Sequence, residues 1–183
     1  MAGAGEIKDQ LNWQNLGISF QNDYSGPLAL DSEKFGRYIL SLLQSIHEQD
    51  WDDLLVDGQV FSEHKVVLSL CLVDSEQMKS INHQYRNIEK DTDVLSFPVW
   101  EDFKSENIIG PVINLGDLVV SVERASEQAD QFQLSLEEEM LHLVVHGFLH
   151  LIGLDHELGA KEQEMMEQWE KKLILAVKAK LSS

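Results

Sequence analysis

The sequence predicts a single α+β domain, residues 1–183, in which a mixed β-sheet of about four strands is packed with helices. Two observations predict this class. The 183 residues are 43% hydrophobic, which is typical of one compact domain. Short apolar stretches with strand character also alternate with longer amphipathic stretches. We find no internal repeat, low-complexity tract or Pro/Ser linker that would divide the chain.

Four short stretches have the pattern of β-strands. The clearest is the continuous apolar run VVLSLCLV at 66–73, which is typical of a buried strand. The stretch 17–22 alternates weakly, 94–98 ends at its own proline, and 113–122 leads directly into a helical pattern.

Five stretches have helical periodicity and recognisable end signals. They cover 32–48 after an Asp31 N-cap, about 75–85 after an Asp74 N-cap, about 123–131, 135–153 and about 160–181. The first helix carries one apolar stripe, formed by Phe35, Ile39, Leu42, Leu43 and Ile46. In the fourth, Ser135 and Glu138 form a capping box, and Gly153 is a natural residue to follow the helix end.

Composition excludes several classes of protein. The chain has 14 Lys and Arg but 32 Asp and Glu, which gives a net charge of −18. Such a chain repels polyanions on average, which excludes a general nucleic-acid coat protein. The single cysteine, Cys71, excludes an internal disulfide framework. No run reaches the roughly 18 apolar residues of a membrane span. Because the first residues lack a basic segment followed by an apolar one, we expect no signal peptide and a cytoplasmic protein.

Four of the seven histidines lie within fifteen residues: His142, His146, His150 and His156. Residues four apart share a helix face, so His146 and His150 can both bind one ion. His142 and His150 are separated by about 12 Å along the axis, too far to meet on one ion. The glycine turn at Gly153 makes His156 the better third ligand, and we assign His142 to packing or to a supporting contact.

The resulting pattern, H-x-x-x-H-x-x-G-x-x-H, predicts one Zn²⁺ per chain. Three neutral imidazoles leave the fourth tetrahedral position open, as catalytic zinc sites require. A structural site normally has four protein ligands, often cysteines, and the lone Cys71 lies far upstream. Nickel or another divalent ion remains an alternative.

The same spacing occurs in metzincin proteases, H-E-x-x-H-x-x-G-x-x-H, with one difference. Those enzymes use the Glu after the first His as general base, and this chain has Gly147 there. The Met-turn is also missing, because Met165 and Met166 lie inside a charged helical pattern. The pattern therefore argues against a protease.

Three segments closely resemble the YbeY family of bacterial rRNA-maturation endoribonucleases. HGFLHLIGLDH at 146–156 is similar to the family's H-G-x-L-H-L-x-G-[YF]-D-H, with Leu154 in place of the usual aromatic. INHQYRNIEKDTDVLSFP at 81–98 is similar to N-x-x-Y-R-x-x-x-x-x-T-D-V-L-S-F-P, and GDLVVS at 116–121 to a third family strand. The resemblance spans about 66–170 and implies a zinc-binding endoribonuclease.

The resemblance also implies site residues and partners. It gives catalytic roles to Arg86, as the residue that binds the scissile phosphate, and to the zinc ligands His146, His150 and His156. Thr92, Asp93 and Ser96 are expected to shape the cleft. The implied activity is metal-dependent cleavage of single-stranded RNA in rRNA processing, at the 3′ end of 16S rRNA, and in ribosome quality control. Implied partners are rRNA, the small ribosomal subunit and ribosome-associated proteins.

Alternatives remain open at this point. The chain could be a zinc metallohydrolase of a peptide or small phosphoester, or a zinc-stabilised ribosome assembly factor without turnover. The general base could be Asp155, His142 or a zinc-bound hydroxide. The acidic side chains of the last helical region are expected to form a solvated face: Glu157, Glu162, Glu164, Glu167 and Glu170.

Overall fold

The computed structural model describes residues 10–48, 61, 64–100, 103 and 110–182. Residues 1–9, on which the expectation of no signal peptide depends, lie outside this part of the chain. Within it, no helix is long and apolar enough to cross a membrane.

The described residues form one five-stranded sheet of order β1-β2-β3-β5-β4. The strands are β1 Gln10–Trp13, β2 Leu16–Asn22, β3 Lys65–Val73, β4 Val94–Pro98 and β5 Val112–Ser121. The mixed sheet is confirmed: β2, β3 and β5 run parallel, whereas β1 and β4 pair antiparallel with β2 and β5.

The predicted count of four strands is wrong by one, because β1 was not predicted. Its four residues are too few to show a clear alternation, and only Leu11 is buried. The turn that joins β1 to β2 contains Gln14, which adopts a positive φ of 48° without the glycine that normally marks such a turn.

The predicted helices are confirmed within one or two residues at each end. They are α1 Ser32–Glu48, α2 Ser75–Arg86, α3 Val122–Phe132, α4 Leu136–Leu151 and α5 Ala160–Leu181, with a short 3₁₀ turn at His156–Leu158. The Asp31 carboxylate accepts a hydrogen bond from the Lys34 N–H at 2.9 Å. Ser135 and Glu138 make both hydrogen bonds of the predicted capping box. These contacts fix where α1 and α4 begin.

Alternating side chains of the sheet enter two apolar clusters. The larger cluster includes the α1 stripe, α4, α5 and one face of the strands, with Leu70 and Leu118 fully buried. The smaller cluster, on the other face, consists of Val73, Met78, Leu95 and Val119. The strand β4 is an edge of the sheet and packs against α4, so the carboxyl-terminal half of α4 lies beside that edge.

Candidate metal centre

Three histidines meet at the carboxyl-terminal end of α4. One nitrogen from each of His146, His150 and His156 lies within 4.8 Å of the others. The Nε2 atoms of His146 and His150 are 3.2 Å apart. The His156 ring centroid lies 5.3 Å from that of His146 and 5.1 Å from that of His150. The predicted trio is therefore brought together around one point.

The turn after α4 explains how His156 reaches the helix. Gly153 has a φ of +97°, which residues with a side chain rarely adopt. Its N–H donates to the His150 carbonyl, and the Leu154 N–H donates to the Leu149 carbonyl, both at 3.0 Å. This pair of bonds is the Schellman arrangement, which reverses the chain after a helix. Helix α4 ends at Leu151 with Ile152 as its C-cap, and Gly153 has the predicted role of the residue that follows the helix end.

The cluster fits the requirements of a divalent metal ion. Zn–N bonds of about 2.0–2.1 Å in a tetrahedral site separate two nitrogens by about 3.3 Å, close to the distance between His146 and His150. Metal binding also requires neutral imidazoles. Burial, together with the neighbouring His146 and His156 rings, lowers the pKa of His150. His150 therefore keeps a lone pair for an ion at neutral pH.

A carboxylate that the sequence analysis placed on a solvated face supports one of these rings. Glu170 of α5 has its Oε1 atom 2.6 Å from Nδ1 of His146. Its side chain is only 32% exposed, so the predicted solvated role is wrong for this residue. With Nδ1 donating its proton to Glu170, the His146 Nε2 lone pair faces the cluster. The side chain of Glu157 lies outside the described part of the chain.

His142 lies near the cluster without joining it. Its Nδ1 is 3.7 Å from the Glu139 carboxylate, one turn earlier on α4. It lines a separate cavity of about 420 Å³ together with His146 and Glu170. The metal-competent group found among the described residues consists of the other three histidines.

The three histidines line a cleft of about 770 Å³, together with residues of β4 and of the end of α2. Arg86, the last residue of α2, lines this cleft, and so does Asp155, between the α4 turn and His156. Among the residues that the structure describes, Arg86 is the one Lys or Arg in this lining. Sequence positions 60 to 70 residues apart thus meet in a single cleft.

Thr92, Asp93 and Ser96 also line the cleft, and Asp93 organises its edge. Burial alone would raise the pKa of the Asp93 carboxyl, but hydrogen bonds from Gln128, the Val94 N–H and Thr92 hold that pKa below its ordinary value. Asp93 is therefore an ionised structural acceptor that fixes the start of β4.

Gly147 is in a position where a side chain would crowd the sheet. A Cβ atom there would lie 2.6 Å from Leu118 Cδ2 and 3.2 Å from Ser96 Oγ. The glycine lets α4 approach the sheet closely, and the Ser96 hydroxyl donates to its carbonyl at 3.4 Å. A side chain at this position, such as the glutamate of the metzincins, would force Leu118 to move.

This packing predicts that alanine substitutions at two helical glycines have different effects on stability. Gly147→Ala is expected to be less stable than Gly36→Ala by about 2 kcal/mol, because overpacking costs about 1–3 kcal/mol while the helix gain is common to both. At Gly36 the nearest atom to an added Cβ is Leu11 Cδ1 at 3.9 Å, an ordinary contact. Urea unfolding of both variants measures the difference. Equal stabilisation of both would show that Gly147 is not required by packing.

The sequence of this chain is similar to that of a known protein family. The model of the family described as Endoribonuclease YbeY matches residues 40–178. Proteins named Endoribonuclease YbeY are similar to this chain over much of their length. The Aquifex aeolicus protein is 40% identical over 122 residues, covering 67% of this chain and 76% of the relative. The Treponema denticola protein is 30% identical over 161 residues, covering 87% and 92%.

A solved structure shares the fold. The solution structure of a Thermotoga maritima protein superposes with a TM-score of 0.53 at 25% sequence identity, covering 89% of this chain and 91% of that one. The family match spans well over half of the chain and includes the histidine cluster, Arg86 and the strand β4. This chain belongs to the YbeY family of endoribonucleases.

Proposed function

We propose that this chain is a zinc-dependent endoribonuclease that cleaves single-stranded RNA. Its role would be in rRNA processing, at the 3′ end of 16S rRNA, and in ribosome quality control, with residues 1–183 forming one domain in the cytoplasm. One observation carries the proposal: the three clustered histidines and Arg86 line the same cleft. Relatives across much of the chain are named endoribonucleases, which supports RNA as the substrate.

In this proposal His146, His150 and His156 hold one Zn²⁺ per chain. The donors are three imidazoles with no thiolate among them, which leaves a position for water or substrate. A zinc ion held there supplies Lewis-acid chemistry, which polarises a phosphoryl oxygen and makes water easier to deprotonate.

Arg86 binds the scissile phosphate in this account. Its guanidinium presents paired donors that match two phosphate oxygens and neutralise the charge that develops on them. Arg86 ends α2 and lines the same cleft as the three histidines. Arg86 thereby orients the phosphate toward the metal centre.

Asp155 is the better protein candidate for the general base. It lines the cleft with His150 and His156, whereas His142 lines the neighbouring cavity. Gly147 provides no acid or base at the position that metzincins use. An Asp155 carboxylate could accept a proton from the attacking hydroxyl group, be it water or the RNA 2′-OH.

Glu170 positions His146, and this role predicts a change in zinc affinity. Glu170→Ala should weaken zinc binding about 10- to 100-fold, since it removes the acceptor that fixes the His146 ring. Glu170→Gln, which keeps an acceptor oxygen, should lose much less. Competition with a chromogenic chelator measures both. Glu167→Ala, one turn earlier on α5, is the control, and a loss there equal to that of Glu170→Ala would contradict the role.

The net charge of −18 shapes the proposed substrate and partners. A chain this acidic is expected to bind free RNA weakly and with strong salt dependence, so the small ribosomal subunit and its associated proteins would supply part of the binding. With one Arg or Lys lining the described cleft, a duplex would be poorly held, which favours single strands.

A substrate panel tests the proposal. Metal-quantified protein is given a single strand spanning a 16S rRNA 3′ precursor end, the same strand in a duplex, casein, and bis(p-nitrophenyl) phosphate. We expect cleavage of the single strand and little or none of the others. Digestion of casein with intact RNA would point to a hydrolase of another class. Zinc-loaded protein that cleaves nothing would point to an assembly factor without turnover.

A further inference from the structure

An exposed pair of aromatic rings lies at the rim of the cleft. Tyr85 is 63% exposed, although it is a large residue on the last turn of α2. Its ring centroid is 5.0 Å from that of Phe97, with the ring planes at 64°. Both residues line the cleft that holds Arg86 and the three histidines. Neither has a role in the chemistry described so far.

The aromatic pair is supported by contacts with the protein core. Phe97 is partly buried and packs against the apolar cluster of Val73, Met78, Leu95 and Val119. Tyr85 rests edge-to-face on Phe97, an arrangement that aromatic rings favour. Because 63% of the Tyr85 residue is exposed to solvent, a second planar group has space beside it. The pair is therefore a solvent-accessible aromatic surface supported by a buried cluster.

The charge of the protein makes such a surface useful. A chain of net charge −18, with one Lys or Arg in the described cleft lining, gains little affinity for RNA from electrostatics. Base stacking on aromatic rings provides affinity that does not depend on charge and tolerates any sequence. Tyr85 and Arg86 line the same cleft, so one RNA strand lying in it can place a base on the ring and a phosphate at the guanidinium.

We propose that Tyr85, supported by Phe97, is a nucleobase-stacking site for the nucleotide next to the phosphate bound by Arg86. This inference rests on the proposed function. It also gives a physical basis for selecting single strands. Bases in a duplex are stacked on each other, whereas a single strand can turn one base out onto a protein ring.

The test measures binding of zinc-loaded protein to a fluorescein-labelled hexa-adenylate RNA by anisotropy, and a gel after each titration verifies that the RNA is intact. Tyr85→Ala should weaken binding about 10-fold. Tyr85→Phe, which keeps the ring, should stay within about 2-fold of the wild type. Phe132→Ala removes another ring with 60% exposure, at the end of α3 and outside the cleft, and should change nothing.

The salt dependence of RNA binding distinguishes a stacking contact from an electrostatic one. Between 50 and 200 mM salt the Tyr85→Ala deficit should stay constant, whereas the Arg86→Ala deficit should shrink, since only the latter involves counterion release. An RNA with abasic sugars throughout should bind wild type and Tyr85→Ala equally. Circular dichroism verifies that each variant is folded.

The outcomes distinguish this inference from the function on which it rests. If the wild type cleaves RNA but Tyr85→Ala binds the hexamer as tightly as the wild type, the stacking site is wrong and the nuclease proposal stands. If Tyr85→Phe loses as much as Tyr85→Ala, the ring is not the binding element, which also overturns the inference. A wild type that neither binds nor cleaves single-stranded RNA overturns both.

Discussion

Replacing His150 by alanine should remove the bound zinc and slow RNA cleavage by more than about 100-fold. Removing a contact that merely orients a metal ligand lowers metal affinity or activity about 10- to 100-fold. Removing a ligand itself should therefore have a larger effect. The His150 ring centroid lies 4.7 Å from that of His146 and 5.1 Å from that of His156, so His150 contributes to the cluster as directly as the other two. Two remaining imidazoles are fewer than the three protein ligands of a catalytic zinc site.

Two variants of α4 make this measurement specific. His142→Ala removes an imidazole from the same helix outside the cluster and should keep one zinc per chain and at least about half of the cleavage rate, as expected of a site away from the ligands. Zinc content by atomic absorption and single-turnover rates are measured on the same preparations. If His150→Ala retains both zinc and activity, or if His142→Ala loses both, the assignment of ligands fails.

Arg86→Ala should lower the cleavage rate about 100- to 1,000-fold while zinc content stays at one per chain. This is the usual effect of removing a group that stabilises charge in the transition state. Arg86→Lys should recover only part of the rate, because an ammonium keeps the charge but cannot offer paired donors in one plane. Single-turnover kinetics at saturating enzyme separate this loss from weaker binding.

A second arginine provides the matched control. Arg124 on α3 pairs with Glu127 at 2.7 Å and with Asp91 at 3.5 Å and does not line the cleft. Arg124→Ala removes the same charge from the chain and should leave the cleavage rate unchanged. An equal loss from both arginine variants would mean that overall charge, and not a phosphate contact at Arg86, governs the reaction.

The histidine site could be predicted because its information is local. His146 and His150 are one turn apart on one helix, and Gly153 fixes the turn that returns His156. Helical spacing, and a glycine placed to follow a helix, can both be recognised in a short stretch of sequence. The capping contacts of α1 and α4 were predictable for the same reason.

Glu170 could not be found in this way, because its contact joins α5 to α4 across 24 residues. Nothing in its local pattern separates it from its acidic neighbours on α5, and only the packing of the two helices brings it to His146. Metal-ligating histidines usually have a carboxylate or carbonyl partner, so the sequence pattern does predict that such a partner exists, although not which residue it is. The short edge strand β1 was missed for a similar reason, since its pairing with β2 defines it better than its own sequence does.

We propose that the protein cleaves single-stranded RNA only when its three-histidine site holds a metal ion. The most direct test strips the protein with a chelator and measures the cleavage rate of a 16S rRNA 3′ precursor strand while zinc is returned in measured amounts. The account predicts no cleavage without metal, a rate that rises linearly with added zinc, and a plateau at one equivalent per chain. Cleavage that persists in the stripped protein, or that does not respond to zinc while the site fills, would contradict it.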